Sequence, residues 1–297
     1  MKILVTGATG GLGATIIDNL LKRGVDVIAT SRDIEKAKQS DFYDKVTYLP
    51  HDIYEDTSKD LFIYFQKPDA IIHCAWEKLG AAEYKNPLHT SLILGKHKAF
   101  LTNLINHGLK DITVVGTCYE YGLKEGVLKE DDPSSPTVEY SISKNLLREY
   151  LQTTTFVHPI QWKWVRVFYV FGEVKGRKNL YTHLIEAVKK GEASFNMSGG
   201  EQIRDAGLFV DLLERFWECC DRVRLDRAGI CEHVNTAVIG GRCFASAAAR
   251  KRAQLRQHGR RQFRRLHDEG EVGVHFRPPC ARASVHESAR ATRWCGY

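Results

Sequence analysis

The segment Thr6-Gly7-Ala8-Thr9-Gly10-Gly11-Leu12-Gly13 constrains this chain more than any other stretch. It lies between a short apolar run, Lys2 to Thr6, and residues 12–22, which set Leu12, Ile16, Ile17, Leu20 and Leu21 at helical spacing. Strand, glycine turn and helix therefore follow one another directly. Gly7 permits the tight turn, Gly10 lets backbone approach a bound group, and Gly13 permits close packing of the helix. The start of a helix attracts negative charge, so the turn, with Thr9, Gly11 and Leu12, is predisposed to hold phosphate.

The same alternation continues. Gly24 closes the helix and Val25 to Thr30 reads as a second strand. Lys45 to Leu49 reads as a third strand, ahead of His51-Asp52, and Ala70 to Ala75 as a fourth, after the Pro68-Asp69 turn. Residues 90–107 read as a helix, Asp111 to Gly116 as a fifth strand, residues 136–155 as a helix and Trp162 to Val170 as a sixth strand. Strands alternating with helices predict an α/β chain with a Rossmann-type doubly wound parallel sheet, to which the family resemblance drawn from the motifs below adds a small C-terminal substrate lobe. The expected divisions are a dinucleotide-binding domain over 1–175, a partial substrate lobe over 176–241 and an atypical tail over 242–297. Trp162, Trp164 and Phe168 alternate on the sixth strand and read as core, and His73 reads as a satisfied core histidine.

Two further stretches carry chemistry. Where an acidic residue would hold the adenosine ribose hydroxyl, the sequence reads Thr30-Ser31-Arg32-Asp33; Ser31 and Arg32 suit a 2′-phosphate, which favours NADP, with NAD as the alternative. In Tyr140-Ser141-Ile142-Ser143-Lys144, positions one helical turn apart share a face. A lysine ammonium near a phenol lowers the phenol pKa toward the working range.

With these motifs the chain resembles the extended short-chain dehydrogenase/reductase family, in its branch of NAD(P)-dependent sugar epimerases, dehydratases and ketoreductases. The resemblance rests on TGATGGLG at Thr6 to Gly13, His51-Asp52, HCAW at His73 to Trp76, GTCYEYG at Gly116 to Gly122, YSISK at Tyr140 to Lys144 and RVFYVFG at Arg166 to Gly172. It implies that Asp52 and Ile53 border the adenine, that Ala75 and Trp76 lie near the middle of the dinucleotide, and that Lys144 holds the nicotinamide ribose. Thr117 would then hydrogen-bond the reacting sugar oxygen while Tyr140 exchanges a proton with it. The acidic loop Glu130-Asp131-Asp132-Pro133 and FNMSGGEQIRD at Phe195 to Asp205 look like those of nucleotide-sugar 4-ketoreductases acting on dTDP-4-keto-6-deoxy sugars, in cell-surface polysaccharide (O-antigen) synthesis. Arg204 is a substrate contact on that resemblance or else a surface salt bridge, and Glu120 a substrate contact or an ordinary hydrogen-bond partner. An epimerase and a non-catalytic NADP-binding redox sensor are the other readings; retention of both Tyr140 and Lys144 weighs against the sensor. Homodimerisation is common in the family.

Composition matters chiefly for the tail. Residues 1–221 hold 20 Lys and 7 Arg against 30 acidic residues, whereas residues 222–297 hold 1 Lys and 15 Arg against 6. Folding gives no reason to exchange lysine for arginine so completely, whereas a change of reading frame between residues 206 and 241 does so through codon composition. A basic arm for nucleic acid or an anionic membrane is the competing account of 242–297, but no nucleic-acid-binding motif accompanies it. The eight cysteines are scattered and match no zinc spacing, and no apolar run approaches the roughly 20 residues that cross a bilayer. The chain is thus expected to be cytoplasmic, with a nucleotide sugar as partner and with no metal, nucleic acid or membrane.

Overall fold

The computed structural model describes residues 1–55, 58–77, 84–124, 128–171, 180–192, 206–208 and 234–235. Its first unit is the predicted one: β1 (Lys2–Thr6), α1 (Gly11–Lys22) and β2 (Asp26–Thr30). Then come α2 (Ile34–Lys38), a short β3 (Thr47–Tyr48), α3 (Leu61–Tyr64) and β4 (Ala70–His73). A π-helical turn, His89–Ile93, leads into α4 (Leu94–Asn106), followed by β5 (Asp111–Thr117), α5 (Glu139–Thr154) and β6 (Gln161–Val167). After β6 come β7 (Tyr169–Phe171), α6 (Leu180–Lys189), β8 (Ala206–Leu208) and β9 (Val234–Asn235).

The main sheet is parallel in the order β3-β2-β1-β4-β5-β6-β9. Order reverses at β1, between β2 and β4, and ligands of open α/β sheets lie outside the carboxyl ends of strands at such a point. The glycine turn leaves β1 there. Side chains alternate across the strands, so each face has its own core. Leu4, Ile28, Ile71, Ile112 and Val114 meet Phe100, Leu101 and Leu104 of α4 and Leu147 and Leu151 of α5. Ile3, Val5, Val27, Ala29 and Ile72 meet Ile16, Ile17 and Leu20 of α1, whose burial contributes roughly 1.5–3 kcal/mol apiece.

The structure corrects the sequence reading in three places. The expected sixth strand over Trp162 to Val170 breaks at Phe168: β6 stays in the main sheet, while β7 pairs with β8 in a second, two-stranded sheet. Trp162 and Trp164 are core, but Phe168 is only half-buried. The main sheet also takes β9 from beyond the 1–175 boundary expected for the dinucleotide domain, pairing Val165 with Val234 and Arg166 with Asn235. Residues 242–297, Arg204 and most of the expected substrate lobe lie outside the described residues.

Candidate active site

The glycines of the first turn are explained by what a side chain would strike. Gly7 has φ +66°, and a Cβ there would stand 2.9 Å from the Ala75 backbone; one on Gly13 would overlap the Gly7 carbonyl oxygen. The Gly10 amide donates to that same oxygen at 2.9 Å. Helix α1 then starts with no acidic residue in its first turn and no side-chain hydrogen bond from its N-cap, Gly10. Its first N–H groups are thus left for an anion, and Thr9, Gly10, Gly11 and Leu12 are only partly buried around them. This turn suits a dinucleotide pyrophosphate.

Beneath it runs a buried polar string. Thr6 Oγ1 lies 2.9 Å from His73 Nδ1 and accepts from the Ala75 amide at 3.2 Å. His73 Nε2 meets His97 Nδ1 at 2.8 Å, and His97 Nε2 meets the Tyr54 hydroxyl at 3.2 Å. Both imidazoles are fully buried. Burial, assisted by the nearby Lys144 charge, pushes His73 down to about 3 and holds His97 well below its ordinary range. His73 is therefore the satisfied core histidine expected. His97 escaped the sequence reading, although its place among Phe100, Leu101 and Leu104 on the buried face of α4 was a signal.

Trp76 is the centre of the aromatic contacts. Its ring stacks on His97 at 4.3 Å between centroids with 7° between planes. The Lys144 ammonium lies 3.9 Å from the centre of the indole. Tyr140 meets Trp76 edge to face at 6.0 Å, and the Trp76 N–H donates to His89 Nδ1 at 3.3 Å. Helix α5 supplies Tyr140 and Lys144 one turn apart, as the motif requires. Lys144 is buried and donates to the Val115 carbonyl at 2.7 Å. Burial drives its ammonium down to about 7, while Glu120 and Cys74 pull the other way. Tyr84 packs against both Tyr140, at 5.0 Å, and Tyr119, at 5.7 Å, and so links α5 to the turn that follows β5.

Thr117 ends β5, where its side chain caps the 3₁₀ turn Cys118–Tyr121. Glu120 is placed otherwise than a substrate contact needs. It is fully buried, accepting from the Thr117 amide at 2.8 Å, Trp164 Nε1 at 2.8 Å and Arg166 Nε at 3.0 Å. Burial raises its pKa against the pull of Arg166, and the carboxylate, spent on internal donors, braces the end of β5.

The residues expected at the adenosine end sit on β2, β3 and the segment after β4. Ser31 Oγ pairs with the Tyr48 hydroxyl at 2.8 Å. Arg32 is engaged by Glu77, which the sequence reading missed, at 2.7 Å. Asp52 accepts from the Tyr54 amide at 3.0 Å, and Ile53, 8% exposed, lines a cavity with His51, Leu61 and Phe100. Turn, string, tryptophan and lysine thus converge at the switch point.

Comparison with known proteins agrees with this geometry. A sequence model of the NAD dependent epimerase/dehydratase family matches residues 3–235, beyond Asp205, where the last quoted motif ends. The chain is similar to dTDP-6-deoxy-L-talose 4-dehydrogenase (NAD(+)) of Aggregatibacter actinomycetemcomitans, 28% identical over 77% of this chain and 83% of that protein. Among solved structures, its fold is similar to UDP-glucose 4-epimerase of Thermotoga maritima with UDP-glucose, at 20% identity, TM-score 0.64 and coverage of 79% and 76% of the two chains. It is similar too to UDP-glucuronic acid 4-epimerase of Bacillus cereus in complex with UDP-glucuronic acid and NAD, at 20% identity, TM-score 0.63 and coverage of 80% and 77%.

Proposed function

The chain belongs to the NAD dependent epimerase/dehydratase family of sugar-nucleotide enzymes, and from that membership we propose that it is a nucleotide-sugar 4-ketoreductase. The reaction is reduction of the 4-keto group of dTDP-4-dehydro-6-deoxy-L-mannose (dTDP-4-dehydrorhamnose) to dTDP-6-deoxy-L-talose, within cell-surface polysaccharide synthesis. The observation that carries this reading is the convergence of Tyr140 and Lys144 on Trp76 at the switch point, in a chain similar to a dTDP-sugar 4-dehydrogenase.

A bound nicotinamide dinucleotide supplies the hydride. Gly7, Thr9, Gly10, Gly11, Leu12 and Gly13 would hold its pyrophosphate, Ser31, Arg32, Asp52 and Ile53 its adenosine end, and Ala75, Trp76 and Lys144 the remainder. Tyr140 gives its phenolic proton to the sugar oxygen as the carbonyl becomes an alcohol. The Thr117 hydroxyl, fixed at the end of β5, donates a hydrogen bond to the same oxygen. Lys144 contributes through its charge: an ammonium near a phenol favours the phenolate that proton transfer leaves behind. Arg204 would contact the sugar diphosphate.

The test is cofactor oxidation, followed by absorbance, with the dTDP-4-keto sugar and NADH or NADPH. Stoichiometric consumption supports the reductase. A 4-epimerase returns the hydride to the carbon it came from, so an altered sugar without net oxidation overturns the reductase in favour of the epimerase. Intact cofactor binding with no turnover means that either the substrate is wrong or the frame-shifted C-terminal lobe does not hold it. We hold the composition change to be a shift of reading frame, which the end of the family match at residue 235 supports. A clean resequenced gene with the frame intact rejects it.

A further inference from the structure

Arg32 is the one cation among the two residues of the β2 tip, Ser31 and Arg32, that on sequence invite a 2′-phosphate. In the structure its guanidinium is already committed. Nη2 donates to Glu77 Oε1 at 2.7 Å, and the Tyr54 ring centre lies 5.8 Å away. Asp52 is close enough to act on the same cation. Arg32 follows β2 and Glu77 follows β4, so the pair joins the two strands that flank β1, at the mouth of the cleft into which the glycine turn opens. Glu77 is the more sheltered partner, with 22% of its side chain exposed against 54% for Arg32. Tyr54, hydrogen-bonded to His97, stands beside Glu77.

We propose that Glu77 is a specificity-determining residue, which by holding Arg32 makes the chain prefer NAD to NADP. The carboxylate that β2 lacks at its tip is supplied from behind β4. A phosphate monoester brings about two negative charges, which must displace Glu77 from Arg32 and then sit beside both Glu77 and Asp52. One cation against two carboxylates leaves that neighbourhood net negative before the phosphate arrives. A ribose hydroxyl is neutral and meets neither obstacle. This inference rests on the family reading, since it presumes that a dinucleotide lies in this cleft.

The experiment is calorimetric titration of the full chain with NAD and with NADP, for the parent, Glu77→Gln, and Glu77→Gln combined with Arg32→Ala. The parent should bind NAD the more tightly. Glu77→Gln should shift the affinity ratio toward NADP by about tenfold, because one repulsive charge is removed and Arg32 is released to the phosphate. Adding Arg32→Ala should abolish the gain. A ratio unmoved by Glu77→Gln, a gain that survives loss of Arg32, or a parent that already prefers NADP each overturns the proposal alone. Binding of neither dinucleotide by any of the three proteins overturns the family reading and the proposal with it.

Discussion

The Lys144 ammonium faces the indole of Trp76 at 3.9 Å, and His97 stacks on the same ring with 4.3 Å between centroids. A cation over a tryptophan in a desolvated setting gains about 2 kcal/mol. Trp76→Leu should therefore push the Lys144 ammonium further down, moving the midpoint of the pH dependence of dinucleotide binding to lower pH by about one pH unit. Trp76→Phe, which keeps an aromatic face, should move it less. An unmoved midpoint in Trp76→Leu counts against the contact.

Lys144 also carries a cost to stability. Its pKa falls from 10.5 to about 7 on burial, so between those values the unfolded chain binds more protons and stability rises with pH. The penalty is fully present below about pH 7 and fades as pH climbs toward 10.5. Lys144→Met should therefore be most stabilising, relative to the parent, below pH 7, and less so in alkaline solution, while turnover is lost. Denaturant melts across that range check the slope.

Tyr140→Phe removes one hydroxyl from a ring that keeps its contacts with Trp76, Tyr84 and His89. Turnover should fall by about 10²–10⁴, the usual worth of a positioned proton donor, with dinucleotide affinity within about twofold of the parent. Turnover that survives would remove Tyr140 from the chemistry.

Glu120→Gln strips the counter-charge from Arg166, which is 2% exposed. An uncompensated buried charge costs about 3–5 kcal/mol, and the melting temperature should drop accordingly. Combining it with Arg166→Met should recover much of the loss, since the pair is then absent rather than broken.

At Gly13, alanine would set its methyl against the Gly7 carbonyl oxygen. Helix α1 would have to move outward, and dinucleotide affinity should fall by about tenfold or more, equivalent to about 1.4 kcal/mol. Titration of Gly13→Ala with NAD checks this. Gly24→Ala, where a Cβ meets nothing within 4 Å, should leave affinity alone despite its backbone strain.

Much of this was legible because it is local. The turn from Thr6 to Gly13 and the pair Tyr140 and Lys144 are read within a few residues, by strand and helix periodicity. The break at Phe168 was not, because an apolar run reads the same whether it stays in one sheet or passes to another. Glu120 and Arg166, Arg32 and Glu77, and His73 and His97 meet only when distant segments pack, and no spacing announces such pairs. Glu120 also shows that an acidic residue beside a site motif can be wholly consumed in holding the motif's own backbone.

The string from Thr6 through His73 and His97 to Tyr54 has a polarity. Each neutral imidazole offers one hydrogen and one lone pair, so the sense of the His73–His97 bond fixes the sense of the two outer bonds. Either Thr6 donates and Tyr54 receives, or Tyr54 donates and Thr6 receives. Reversing any one link reverses them all. What Thr6 presents under the glycine turn is thereby tied to the orientation of a hydroxyl at the far end of the string: only hydrogens change place between them, and no heavy atom need move.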